Sequence, residues 1–318
     1  MATKKGPELG LKITQDNISA VLGKRSRISE NFIQAFLVFS AAVSILTTLG
    51  IVWSLSTEAL RFFMSPEVNI WEFFTGTTWQ PQIGEFGILP LLNATLVTSV
   101  IAMVIAGPLG IAVAIYLSEY APKKVSGVLK PILEVLAGVP TIVYGFFALS
   151  FVTPALQDFF GRDLVNVYNN MSAGLVMGVL ILPTVASMSE DALSAVPKAL
   201  KQGGFAMGAT KLEVALNITV PAAISGIIAS VILGLSRAIG ETMIVALAAG
   251  AGPNLSFNPF DSAETMTGHI VRISGGDLSY DSIDYNSLFA IALVLFVTTL
   301  ILNMVSRQII KRFREVYE

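Results

Sequence analysis

Cysteine is absent from the 318 residues, and with it go disulfides, thiolate metal sites and cysteine nucleophiles. Histidine occurs once, at His269. One imidazole with only Asp261 and Glu264 near it in sequence makes no metal-ligand set, so no metal site is predicted and His269 is read as an ordinary surface residue. Charge is scarce too: Asp, Glu, Lys and Arg make up 13% of the chain, where soluble domains carry about a quarter. The net charge of −2 leaves no basic face with which to hold a nucleic-acid backbone. No nucleophile with a base, and no pair of aspartates, stands within an apolar run, so neither enzymatic activity nor a cofactor is expected.

What the chain has in quantity is hydrocarbon. Hydrophobic residues make up 53% of it, and the mean hydropathy is +0.71. Apolar runs close to the roughly 20 residues that cross a bilayer cover residues 32–55, 89–117, 133–152, 173–188, 222–250 and 288–305. They predict an all-α, polytopic membrane protein with six spans and lipid as its solvent. Glycines and prolines inside these runs, among them Gly107, Pro108, Gly110, Gly138, Pro140, Gly145 and Gly178, permit close helix approach and local kinks.

Basic residues set the expected orientation. Lys4, Lys5, Lys12, Lys24, Arg25 and Arg27 precede the first run, Lys123, Lys124 and Lys130 follow the second, Lys198, Lys201 and Lys211 follow the fourth, and Arg307, Lys311, Arg312 and Arg314 follow the last. All of these fall on one side. Arg61, Arg162 and Arg272 on the other are outnumbered by acids such as Glu58 and Asp284. The positive-inside rule then places both termini in the cytoplasm. Residues 1–30 read as a polar cytoplasmic arm and not a cleaved leader, and residues 31–318 as the membrane domain, with a core at about 89–306. Segment 251–286, on the outer side, carries Gly-Pro, Asn-Pro and Gly-Gly breaks; it is either a receiving surface or a solvated connector.

Arg237 and Glu241 lie inside the apolar stretch 222–250. A charge at that depth costs a few kcal/mol on insertion scales, which makes an intramembrane arginine a marker of a polar pathway. Spacing of four residues puts both groups on one helix face, where Glu241 serves as counter-charge to Arg237. At about 1.5 Å per residue Arg237 is roughly 24 Å from Pro221, at or beyond the midplane. A structural salt bridge with no contact to cargo is the competing reading.

Segment 191–221 is about 30 residues long, lies between two spans and is not polar throughout. Leu212, Val214, Leu216 and Ile218 mixed with Lys211 and Glu213, after Gly203, Gly204 and Gly208 as hinges, predict one or two amphipathic helices. Such a helix is either a docking surface or an interfacial helix resting on headgroups. Gly203 and Gly208 also have the GxxxxG spacing of a phosphate-binding loop, but Ala209 stands where the lysine is required, so the chain is not expected to hydrolyse ATP.

The Gly208 to Ile218 and Pro221 spacing resembles the cytoplasmic loop signature of ABC importer permeases. Gln202-Gly203-Gly204 stands in place of the usual Glu-Ala-Ala, and Val220 in place of Leu. The segments Trp79-Gln-Pro81, Phe86-Gly-Ile-Leu-Pro90, Pro108 to Ala112, Tyr116 to Pro122, Leu136 to Leu149 and Ser236 to Thr242 resemble the phosphate permeases of the Pst system, C-type subunit. This resemblance implies six transmembrane helices in the type I ABC importer permease fold, with residues 202–221 as the coupling helix. It also implies several partners: an ATP-binding subunit dimer, an A-type second permease subunit and an extracytoplasmic phosphate-binding protein. In that setting Arg237 would meet inorganic phosphate, a tetrahedral anion that suits a planar, permanently charged guanidinium. An A-type subunit is the nearer alternative. An ion-gradient carrier with Glu241 as proton carrier is the more distant one, because it needs no docking loop and would show inverted repeats.

Overall fold

The computed structural model describes residues 28–276 and 282–313. The six basic residues of the amino-terminal arm, and Arg314, lie outside the described residues. The chain divides into two units after Trp53. The described part of the first is the leading portion of helix α1 (Ile28–Phe63), along which Phe36, Leu46 and Trp53 are exposed. An apolar helix with this much exposed hydrocarbon belongs in lipid or against a partner chain.

The second unit opens with an aromatic cluster. Helix α2 (Ile70–Thr75) is capped by Asn69, whose side chain accepts from the Trp71 amide. A hairpin follows, β1 (Trp79–Gln80) paired antiparallel with β2 (Glu85–Phe86) in the register Trp79 to Phe86. The turn between them, Pro81–Ile83, ends on Gly84 at φ 78°. Trp79, Phe86, Phe62 and Phe73 meet edge to face, for instance Phe62 to Phe86 at 5.1 Å between ring centres, an arrangement favoured by the ring quadrupoles. Gly87 is fixed by backbone crowding, since a Cβ there would run into the Gly76 carbonyl group.

The bundle consists of α3 (Leu89–Tyr120), α4 (Lys123–Gly138), α5 (Thr141–Phe160), α6 (Asn170–Ser194), α7 (Lys198–Ala206), α8 (Lys211–Ala222), α9 (Ile224–Ile239), α10 (Met243–Ala248), α11 (Met266–Ser274) and α12 (Ile283–Phe313). Among the described residues five helices, α1, α3, α5, α6 and α12, are long and apolar enough to cross a membrane, and the α8–α9 pair makes six if it is one broken span. The core lies where α3, α6 and α9 meet. In lipid, apolar burial drives helix association weakly, so close packing must hold this contact. Small residues provide it: a Cβ on Gly174 or Gly178 of α6 would press on Ile101 or Ala102 of α3, and one on Gly234 of α9 would press on Val185 of α6.

Two spans differ from those read in the sequence. The third runs over Thr141–Phe160 and not 133–152, because Pro140 holds the preceding Val139 extended (ψ 132°) and ends α4 at Gly138. Residues 133–138 thus belong to the amphipathic α4. The fifth is not one helix over 222–250. It bends by 73° between Ala222 and Ile224, stops at Ile239, and resumes as the short α10 after Gly240, Glu241 and Thr242. Pro183, by contrast, leaves α6 continuous.

Candidate functional site

Arg237 sits in the last turn of α9, not at mid-helix. Sixteen residues give α9 a length of about 24 Å, shorter than the roughly 30 Å hydrocarbon layer. The carbonyl end of a helix carries partial negative charge, which stabilises a cation in that turn. The half-buried guanidinium donates from Nη1 to Thr184 Oγ1 of α6 at 2.8 Å.

The one-face pairing of Arg237 with Glu241 is corrected by this geometry. The helix has ended before Glu241, and among the described residues no ion pair joins the two. Glu241 is 9% exposed, and its backbone carbonyl accepts from Thr267 Oγ1 of α11 at 2.6 Å. Backbone that leaves helical geometry at membrane depth is tolerated where it lines a cavity or is covered by protein. A broken helix with a charged residue at the break is therefore a place where a polar solute can be held.

On α5, the Tyr144 hydroxyl donates to the Leu136 carbonyl of α4 at 2.8 Å. Thr184 also lines a cavity of about 190 Å³, together with Lys130, Glu134, Ser187 and Glu190. Lys130 Nζ is 2.6 Å from Glu190 Oε2. Sequence reading assigned Lys130 to orientation only, and Glu190 carried no signal beyond being an acid near the end of an apolar run.

The loop between α6 and α9 folds into the expected helices. Gly208, at φ 85°, ends α7. The Gly208 amide bonds to the Phe205 carbonyl at 3.0 Å and the Ala209 amide to the Gly204 carbonyl at 3.2 Å, the paired bonds of a Schellman turn. Thr210 and Glu213 then form a capping box that starts α8, and the two bonds from Thr210 hold the Glu213 carboxyl below its ordinary pKa. Gln202, Gly203 and Gly204 lie within α7, so Gly208 is the hinge while Gly203 and Gly204 are not. Gly204 is where α7 crosses α8, and a Cβ there would come within 2.5 Å of Ile218 Cδ1. Pro221 stands in the final turn before the 73° bend. Met207, Leu212 and Leu216 are exposed. An apolar patch beside a capped helical corner suits a protein partner. Lys201 ties this corner to α3 through Glu119, at 2.6 Å.

At the opposite end of the bundle His269 is only 2% exposed, which corrects its reading as a surface residue. Thr265 caps α11, and the first turn of that helix carries His269 against Trp79, 5.4 Å between ring centres. Its Nδ1 lies 3.3 Å from Glu264 Oε1 and 3.2 Å from Arg272 Nη2. Burial raises the pKa of Glu264, but the hydrogen bonds and charges of His269 and Arg272 outweigh it and bring the carboxyl to about 2. His269 and Arg272 border a cavity of about 610 Å³ shared with Gln80, Asn254 and Asp284. Among the described residues no group of His, Asp and Glu is arranged to hold a metal ion.

The fold is that of the membrane subunits of type I ABC importers. A chain of a bacterial ABC transporter involved in the import of the acidic polysaccharide alginate superposes with a TM-score of 0.60 over 89% of this chain and 99% of its own, at 16% identity. A chain of the MetNI methionine ABC transporter does so at 0.52 over 72% and 95%, at 19% identity. Residues 106–315 match the family described as binding-protein-dependent transport system inner membrane component, and the chain belongs to that family. It is 33% identical over 280 residues to the probable ABC transporter permease protein YqgH of Bacillus subtilis, covering 87% of this chain and 88% of that one. It is 32% identical over 302 residues to the phosphate transport system permease protein PstC of Haemophilus influenzae, covering 88% and 91%. The protein is thus a multi-pass membrane permease of an ABC importer, a transport component.

Proposed function

We propose that this chain is the C-type permease subunit of an ATP-driven importer of inorganic phosphate and forms half of the pathway across the plasma membrane. The observation that carries the reading is Arg237 at the break between α9 and α10, hydrogen-bonded to a neutral hydroxyl at 2.8 Å in place of a carboxylate. A guanidinium held in this way keeps donors for a tetrahedral oxyanion. Similarity to several proteins named phosphate transport system permease protein PstC supports the choice of ion.

In this reading Arg237 holds phosphate, and Glu241 faces the same break as the acid that limits its dwell. Residues 202–221, with Gln202, Gly203, Gly204, Gly208, Ile218 and Pro221, form the coupling element. A separate ATP-binding dimer docks on Met207 and Leu212, an A-type permease supplies the other half of the pathway, and an extracytoplasmic phosphate-binding protein delivers the ion. Both termini lie in the cytoplasm. Residues 1–30 form an arm ahead of the membrane domain of residues 31–318, whose core is about 89–306.

The reading is tested with the complete transporter in proteoliposomes. Phosphate uptake is expected only with hydrolysable ATP and the binding protein. Uptake that follows an imposed proton gradient and ignores ATP would establish the carrier alternative instead.

A further inference from the structure

Resting on the reading of Arg237 as a phosphate contact, we propose that Lys130 is a second cationic station on the pathway, held in standby by Glu190 and released to an oxyanion as it leaves Arg237. Arg237 donates to Thr184, and Thr184 is also a wall of the 190 Å³ cavity that contains Lys130 and Glu190. That space accepts several waters or one tetrahedral oxyanion. Glu190 follows Thr184 by six positions on α6, about 9 Å along the helix axis. Ser187 lies between them and lines the same cavity, so a polar stripe of two hydroxyls leads from the guanidinium to the ammonium.

The two partners of the Lys130 and Glu190 pair are unequal. The Glu190 side chain is 7% exposed and accepts a further bond from Ser194 at 2.8 Å, while the Lys130 side chain is 44% exposed. Lys130 stands on α4, none of whose residues is buried, at the end of a flexible stem. The ammonium is the half of the pair that can move. When it turns to an anion, Glu190 is left as a buried negative charge beside that anion. Like-charge repulsion in a low dielectric then disfavours a long stay and favours departure toward the α7 end. A purely structural tie between α4 and α6 would need the pair only for its mutual neutralisation, and an apolar pair of similar volume would serve it as well.

The test is initial-rate phosphate uptake by the complete transporter in proteoliposomes. Lys130→Gln is expected to lower kcat about tenfold, the loss of one charge-assisted contact, with KM for phosphate unchanged. Lys130→Arg should keep most of the rate. The double variant Lys130→Met with Glu190→Leu should stay as slow as Lys130→Gln while its thermal stability matches wild type. Restored uptake in the double variant, or a wild-type rate for Lys130→Gln, overturns the proposal. Arg237→Ala, run in parallel, separates the two levels. If it is inactive while Lys130→Gln is normal, only the second station falls; if it is active, the underlying phosphate pathway falls.

Discussion

Gly208 gives the sharpest structural test of the coupling corner. Its φ of 85° lies in the left-handed region, and an added Cβ would meet no atom within 4 Å. Any penalty of substitution is therefore conformational and not steric. An ordinary residue in the left-handed region costs roughly 1–2 kcal/mol. Asparagine is the usual exception, tolerated at this position of a Schellman turn, whereas a β-branched residue is strongly disfavoured. If the turn opens to escape the strain, it forfeits the two capping bonds, each about 1 kcal/mol. The corner that aims Met207 and Leu212 then becomes a minor population. A penalty near 1.4 kcal/mol leaves about a tenth of the competent form and weakens binding to the ATPase about tenfold. Titration of purified ATP-binding subunit onto nanodisc-embedded permease should rank affinity as Gly208, then Gly208→Asn, then Gly208→Ala, then Gly208→Val. Equal affinity for wild type and Gly208→Val would remove the corner from the coupling mechanism. Equal damage from Asn and Val would refute the backbone argument.

Other outcomes follow from the packing and the charges. Gly174→Val places methyl groups against Ile101, where even a Cβ would come within 2.7 Å; it should destabilise the bundle by about 1–3 kcal/mol, read as a lowered thermal midpoint in detergent. Thr210→Ala removes the capping box of α8 and should cost about 1 kcal/mol locally, seen as faster amide exchange over the first turn of that helix. Glu264→Gln leaves Arg272 and His269 short of a carboxylate and should cost about 2 kcal/mol. The folded Glu264 titrates near 2 against an ordinary 4.5, so its contribution is complete above the ordinary value and declines as pH falls from there toward 2. Wild type should thus lose its advantage over Glu264→Gln only in that acid window, and a constant difference through the window would contradict the assignment.

Most of the fold was legible in the sequence because lipid imposes a coarse rule: the apolar runs at 32–55, 89–117, 173–188 and 288–305 each fall within a long helix. What composition could not resolve was where backbone geometry interrupts an apolar run. Pro140 moves the third span, a signal present in the residue itself. The break at Gly240 to Thr242 had no such marker, since a glycine alone in an apolar helix is common, and it changed Arg237 from a mid-helix charge into a helix-end charge. Glu241 shows the limit of periodic reasoning, because i,i+4 pairing needs a continuous helix. The Thr210 and Glu213 capping box was legible but unread, overshadowed by the glycines before it. The burial of His269 was not legible because it packs against Trp79, 190 positions away in the chain, a contact that no local pattern announces.

The account rests on Arg237 as the group that meets phosphate. The most direct measurement is ATP-driven phosphate uptake by the assembled transporter carrying Arg237→Ala, with co-purification of the ATP-binding subunit as the control for assembly. The account predicts normal assembly with uptake abolished. Normal assembly with uptake at the wild-type rate would contradict it.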